Sequence, residues 1–149
     1  MPTDYGTILK ELAPCGLDCA RCYGYADGEI RKLAEALSDK LGNFAPVAER
    51  LSQVVPAFKD FVAFEAVLAV MTKASCTGCR TGGGHFPPCT AKTCFREKEV
   101  DFCFQCDEFP CERNRFDEAL IERWKRNNTL MREIGVEAYY HKQKGKPRY

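Results

Sequence analysis

Cys76-Thr77-Gly78-Cys79-Arg80, then Cys89 and Cys94, then Phe102-Cys103-Phe104-Gln105-Cys106-Asp107-Glu108-Phe109-Pro110-Cys111: this stretch decides how the chain must be read. Seven Cys, three consecutive Gly (Gly82, Gly83, Gly84) and two adjacent Pro (Pro87, Pro88) leave it little apolar material for a core. Such a segment cannot bury enough apolar area to offset its ordering entropy, so something must cross-link it. Thiolate–metal bonds are the obvious candidate, because metal binding then becomes folding free energy.

A second block, Cys15, Cys19 and Cys22, lies near the N-terminus and brings the count to ten Cys in 149 residues. That is about 7%, close to the level of small disulfide scaffolds. The remaining composition is ordinary, with 45% hydrophobic and 29% charged residues. At this length a domain buries roughly 68–70% of its unfolded surface, enough for a core without staples. Met1-Pro2-Thr3-Asp4-Tyr5 has neither the basic nor the apolar region of a signal peptide. The longest apolar stretch, Phe61 to Met71, is 11 residues and contains Glu65, whereas a membrane span needs about 20. The expectation is a soluble, cytoplasmic, single-domain protein over residues 1–149 with no membrane partner. In that reducing compartment thiols serve as metal ligands in preference to disulfides.

Net charge +1 excludes strong global attraction to nucleic acid or an anionic membrane. Residues 1–112 carry 12 basic and 16 acidic side chains, and residues 113–149 carry 10 and 5. The basic C-terminal part reads as a solvated helix surface. No nucleic-acid motif is present, which leaves a protein partner as the class still open.

Three Cys-x-x-Cys pairs stand out: Cys19/Cys22, Cys76/Cys79 and Cys103/Cys106. Two intervening residues let a tight turn aim both sulfurs at one ion while backbone amides donate to the thiolates. With Cys89-x4-Cys94 they point to metal, and a structural Zn²⁺ takes four ligands, so ten Cys allow two closed sites with two sulfurs to spare. The most compact assignment joins Cys76, Cys79, Cys89 and Cys94, with Cys19, Cys22, Cys103 and Cys106 as the second site and Cys15 and Cys111 left over. An equally legal one joins Cys15, Cys19, Cys22 and Cys111. The Cys15-x3-Cys19-x2-Cys22 spacing also matches the cluster loop of radical S-adenosylmethionine enzymes. Arg21 stands where those enzymes carry an aromatic residue, and this chain is too short for their partial barrel. An ordinary [4Fe–4S] cluster held by four of these thiolates is the alternative to zinc.

Around the cysteines the sequence reads as helices. Asp27 can cap one whose apolar residues Ile30, Leu33, Ala34, Leu37 and Leu41 share a face, with Gly42 as the stop. Pro46 suits the first turn of a second. Pro56 can open a third, from Phe58 to Met71, apolar nearly all round and hence expected as the central core helix. A fourth runs from about Asn114 to Glu133 with Phe116, Leu120, Trp124 and Met131 as its stripe and Gly135 as its cap. A last piece includes Val136, Tyr139 and Tyr140. Any strands are short and near the metal segment.

Other residues take plain roles. Gly82-Gly83-Gly84 lacks the Gly-Lys-Ser/Thr of a phosphate loop and reads as a flexible loop. His85 reads as a solvated loop histidine, with replacement of a Cys ligand as its alternative, and His141 as exposed. With two His, no catalytic triad can be read.

Ala13-Pro14-Cys15-Gly16-Leu17-Asp18-Cys19-Ala20-Arg21-Cys22 resembles the opening signature of a bacterial and archaeal family known as domain of unknown function 3795. The Cys76-to-Cys111 stretch resembles its second signature, and Ile134-Gly135-Val136-Glu137 its end. The resemblance covers about residues 12 to 145 and implies a small, cysteine-rich protein, presumed to bind zinc, with no established reaction. The Gly82–Pro88 insertion departs from that pattern. Together these readings predict a mainly α-helical domain with an irregular cysteine-rich segment folded around two metal ions, expected to be zinc, and no catalysis. Free thiols at Cys15 and Cys111 would leave a weaker alternative of thiol redox or metal transfer.

Overall fold

The computed structural model describes residues 1–86 and 88–149. Pro87, read above as part of the irregular segment, lies outside the described residues. The fold is mainly α, as expected. The described residues form seven helices: α1 (Tyr5–Glu11), α2 (Glu29–Leu41), α3 (Ala45–Leu51), α4 (Phe61–Thr72), α5 (Ala91–Glu97), α6 (Glu118–Ile134) and α7 (Val136–Lys144). Short 3₁₀ turns lie at Pro56–Asp60, Cys79–Thr81 and Cys103–Gln105. By their internal contacts the helices fall into two compact units. One joins Met1–Cys22 to Cys76–Tyr149, and the other is Tyr23–Ser75. All ten Cys belong to the first unit.

In the helical unit, α2 starts one residue later than expected. Gly28 is its N-cap, with no side-chain bond, while Asp27 pairs with Lys32 at 2.8 Å. Gly42 stops α2 and Pro46 stands in the first turn of α3, both as read from sequence. Pro56 opens the 3₁₀ turn, and the α-helical hydrogen bonding begins only at Phe61. Phe44 packs edge-on to Phe61 with ring centres 5.2 Å apart, and Phe58 lies 5.7 Å from Phe44.

The expectation that α4 is the central core helix is corrected. Only Phe61 and Leu68 of α4 are buried, whereas Val62, Val67 and Val70 are 73%, 55% and 61% exposed. The cause is geometric: α2, α3 and the 3₁₀ turn pack on one side of α4, and a helix apolar all round needs neighbours on every side to be buried.

The cysteine-rich unit has a core of Ile8, Leu12, Phe102, Met131, Tyr139 and Tyr140. α6 begins at Glu118, not near Asn114, because the Asp117 carboxylate accepts the Leu120 N–H at 2.8 Å and fixes the cap there. Phe116 therefore precedes the helix, its ring edge-on to Trp124. Trp124, Asn128 and Met131 fall at i, i+4 and i+7 and are buried. Gly135 ends α6 and starts α7, which contains Tyr139 and Tyr140 and runs to Lys144.

Two helices were not anticipated. α1 is signalled by the Asp4 carboxylate accepting from the Thr7 N–H at 3.0 Å, and α5 carries Cys94 within the stretch expected to be irregular. No strand forms among the described residues. An isolated bridge pairs Leu12 with Asp18 in the N-terminal hook.

Candidate metal centre

The hook that carries Cys15 and Cys19 is held by backbone bonds and by side chains from α6 and α7. The Ala13 N–H donates to Leu17 O at 2.8 Å, the Cys19 N–H to Glu11 O at 2.7 Å, and the Cys103 N–H to Pro14 O at 2.9 Å. Asn128, fully buried, donates from Nδ2 to Cys15 O at 2.9 Å and accepts the Phe104 N–H on Oδ1 at 3.0 Å. One amide thus ties both cysteine blocks to α6. The Tyr139 hydroxyl donates to Gly16 O at 2.7 Å. Gly16 sits at φ +84, a conformation that favours glycine, and a Cβ there would also push on the Met131 methyl 2.6 Å away. Buried Asp18 pairs with Arg21 at 2.7 Å and with Lys144 at 3.3 Å, and Arg148 donates to its backbone carbonyl.

Around this frame the thiols fall into two overlapping groups, since Cys15 feels Cys103 and Cys103 feels Cys89. Cys15, Cys19, Cys79 and Cys89 form the first. Cys15 is buried, and desolvation pushes its thiol up to about 12, with the neighbouring Cys103, Cys89 and Cys19 adding to the rise. The Cys79 thiol donates to the Cys19 sulfur. That bond brings Cys19 down to about 7 and, with burial, raises Cys79. Burial also raises Cys89, against the pull of the Ala91 and Lys92 amides at the start of α5.

Cys94, Cys103, Cys106 and Cys111 form the second neighbourhood. All four line one cavity of about 20 Å³, together with Phe95, Phe109 and Trp124. Burial pushes Cys103 up to about 12 and raises Cys94. The two remaining thiols have other company. Cys76 accepts the Gly78 and Gly84 amides at 3.4 and 3.2 Å, and Cys22 receives the Tyr149 hydroxyl at 3.8 Å. None of the ten Cys is in a disulfide. The sulfurs gather without closing: among the described residues, no three His, Cys, Asp or Glu side chains already stand as an ion cage.

The residues fit a thiolate-bound metal on three counts. Four sulfurs per neighbourhood match the number a structural site takes. The Trp124 indole N–H is buried without a full hydrogen bond and pulls Cys103 down, so a negative sulfur there would satisfy an otherwise orphaned donor. The Gly82–Gly84 loop, expected to be flexible, instead wraps the Cys76/Cys79 turn. A Cβ on Gly83 would lie 3.0 Å from Cys76 Sγ, and one on Gly84, at φ +102, 3.1 Å from Cys79 Sγ. His85 is exposed on that loop, and His141 is exposed on α7.

Sequence reading missed the residues that hold the sulfurs in place. Asn128 shares the face of Trp124 and Met131, and a polar residue on an apolar stripe was its only signal. Arg80 is another: its guanidinium donates to Leu12 O at 3.1 Å and Asp101 O at 2.6 Å and lies 5.1 and 5.0 Å from the ring centres of Phe95 and Phe102.

The sequence model of a family described as "protein of unknown function (DUF3795)" matches residues 11–116. The chain belongs to this family. That span contains all ten Cys, so the DUF3795 signature and the thiol-bearing segments coincide, while all of α6 and α7 lie beyond it. No curated protein and no solved structure matches the chain. No helix among the described residues is long and apolar enough to cross a membrane.

Proposed function

We propose that this DUF3795 chain is a zinc protein whose two four-cysteine centres organise a binding or scaffold domain in the reducing cytoplasm. Cys15, Cys19, Cys79 and Cys89 would hold one ion, and Cys94, Cys103, Cys106 and Cys111 the other. The observation that carries the reading is the convergence of the second four on a single cavity of about 20 Å³. Such a volume takes about one water-sized body. It suits a lone ion better than an iron–sulfur cluster with its inorganic sulfides. Zinc would supply charge neutralisation and a tetrahedral cross-link, and a site closed by four thiolates leaves no position for a substrate.

The chain's own residues do the rest of the work. Asn128 holds the two cysteine blocks at one spacing, the Gly83–Gly84 loop lets backbone approach sulfur, and the indole N–H of Trp124 faces Cys103. Outer-shell groups of this kind orient ligands in metal sites generally. The test is substitution-resolved metal content. Cys106→Ser and Cys79→Ser should each lower bound zinc by one ion per chain, and Cys22→Ser should leave it unchanged. Loss of zinc from Cys22→Ser with none from Cys106→Ser would overturn the assignment.

A further inference from the structure

The helical unit holds an apolar groove of about 500 Å³. Leu37 and Leu41 of α2 line it, with Phe44 from the link to α3 and Phe58, Phe61 and Phe64 from the 3₁₀ turn and α4. The rings run in series, Phe58 to Phe44, Phe44 to Phe61 and Phe61 to Phe64, with centres 5.7, 5.2 and 5.7 Å apart. Leu37 and Phe64 are each 44% exposed, so the walls remain in contact with solvent. A concave site of roughly 300–1,000 Å³, apolar and aromatic with few polar groups, is the usual form of a small-molecule site.

Among the described residues one charged side chain stands in this lining, that of Asp60. Asp60 occupies the N-cap of α4, where an Asp side chain commonly accepts a backbone N–H, yet it makes no capping bond. No hydrogen bond or ion pair takes up its carboxylate among the described residues, and it lines the groove instead. The exposed Lys40 and Lys59 adjoin lining residues in sequence but stand outside the lining. The faces of Phe rings attract cations, and an unpaired carboxylate does the same. We infer that the groove binds a small organic cation, an ammonium carried on an apolar chain or ring. The apolar part lies against Leu37, Leu41 and the Phe rings, and the ammonium sits beside Asp60.

The charge pattern sets the sign of the ligand. A fatty carboxylate would find the same apolar walls, but its head group would meet the like charge of Asp60 and the negative faces of the rings. A neutral alcohol would gain from the walls alone. A ligand of about nine heavy atoms, such as an eight-carbon amine, binds such a site weakly, with a Kd on the order of 1 mM. The inference is independent of the metal reading, because the helical unit contains no Cys.

Titration of the full chain as purified, carrying ¹³C-labelled Leu methyls, with n-octylammonium chloride at constant ionic strength tests it by NMR. The Leu37 and Leu41 methyl resonances should shift saturably with a Kd on the order of 1 mM. Octanoate should bind at least about tenfold more weakly. Asp60→Asn should weaken octylammonium binding about fivefold and leave 1-octanol binding unchanged, a split that a purely structural role for Asp60 would not produce. The amide spectrum of the variant checks that α2 and α4 remain folded. No saturable shift up to about 10 mM, octanoate binding as tightly as octylammonium, or an Asp60→Asn chain that binds octylammonium like the wild type would each overturn the inference.

Discussion

The two units of this chain meet the same problem, how to hold short helices together, by opposite means. Residues 23–75 use aromatic and aliphatic packing, with the rings of Phe58, Phe44, Phe61 and Phe64 packed in series and not one Cys. The unit built from residues 1–22 and 76–149 spends much of its length on loops. It ties them with side-chain-to-backbone bonds from Asn128, Tyr139 and Arg80 and brings eight thiols into two neighbourhoods. The difference teaches where cross-links are needed. The packed unit draws its stability from contacts it already makes, whereas the loop-rich unit buries thiols such as Cys15 and Cys103 that desolvation pushes toward the protonated form. In the zinc reading proposed above, a cation would take the place of those protons.

The largest expected effect comes from removing metal. A strong chelator should leave amide exchange protection in α2 and α4 largely intact while protection in residues 76–111 collapses, read by hydrogen exchange with mass spectrometry. Equal loss in both units would erase the contrast. Next, Phe61→Ala should cost about 3–4 kcal/mol through the cavity left among the aromatic rings, with bound metal unchanged. Denaturant unfolding and elemental analysis of the same sample check the two halves of that statement. Asn128→Ala strips the partners of Cys15 O and the Phe104 N–H and should cost about 2–3 kcal/mol. Unlike Phe61→Ala, it should also speed loss of metal to a chromogenic chelator. The smallest effect is that of Asp117→Ala, about 1 kcal/mol from the lost cap of α6, visible as a shift in the thermal midpoint.

Legibility in the sequence followed the same divide. Helices α2, α3, α6 and α7 could be read because a stripe and a stop signal agreed, as with Leu37 and Gly42 or Trp124 and Gly135. The core role assigned to α4 failed because composition reports that a helix is apolar, not how many neighbours it has. α1 and α5 are seven residues each, too short for periodicity to register, although Asp4 and Thr7 held the capping signal. At the candidate site, spacing identified all ten Cys and pointed to metal. It could not group them, because Cys-x-x-Cys says that two sulfurs share a turn and nothing about which turns meet. What brings the two blocks together is Pro14 O accepting from Cys103 N–H and Asn128 bridging them, contacts between residues about 90 and 113 positions apart. Arg80 was legible only as a charge inside a motif.

The most direct test of the account is elemental analysis, with native mass spectrometry, of the full chain purified anaerobically. The account predicts a colourless protein with two zinc ions per chain, whose removal unfolds the cysteine-rich unit. A brown protein containing iron and sulfide, or a metal-free protein in which residues 76–111 remain protected from exchange, would contradict it.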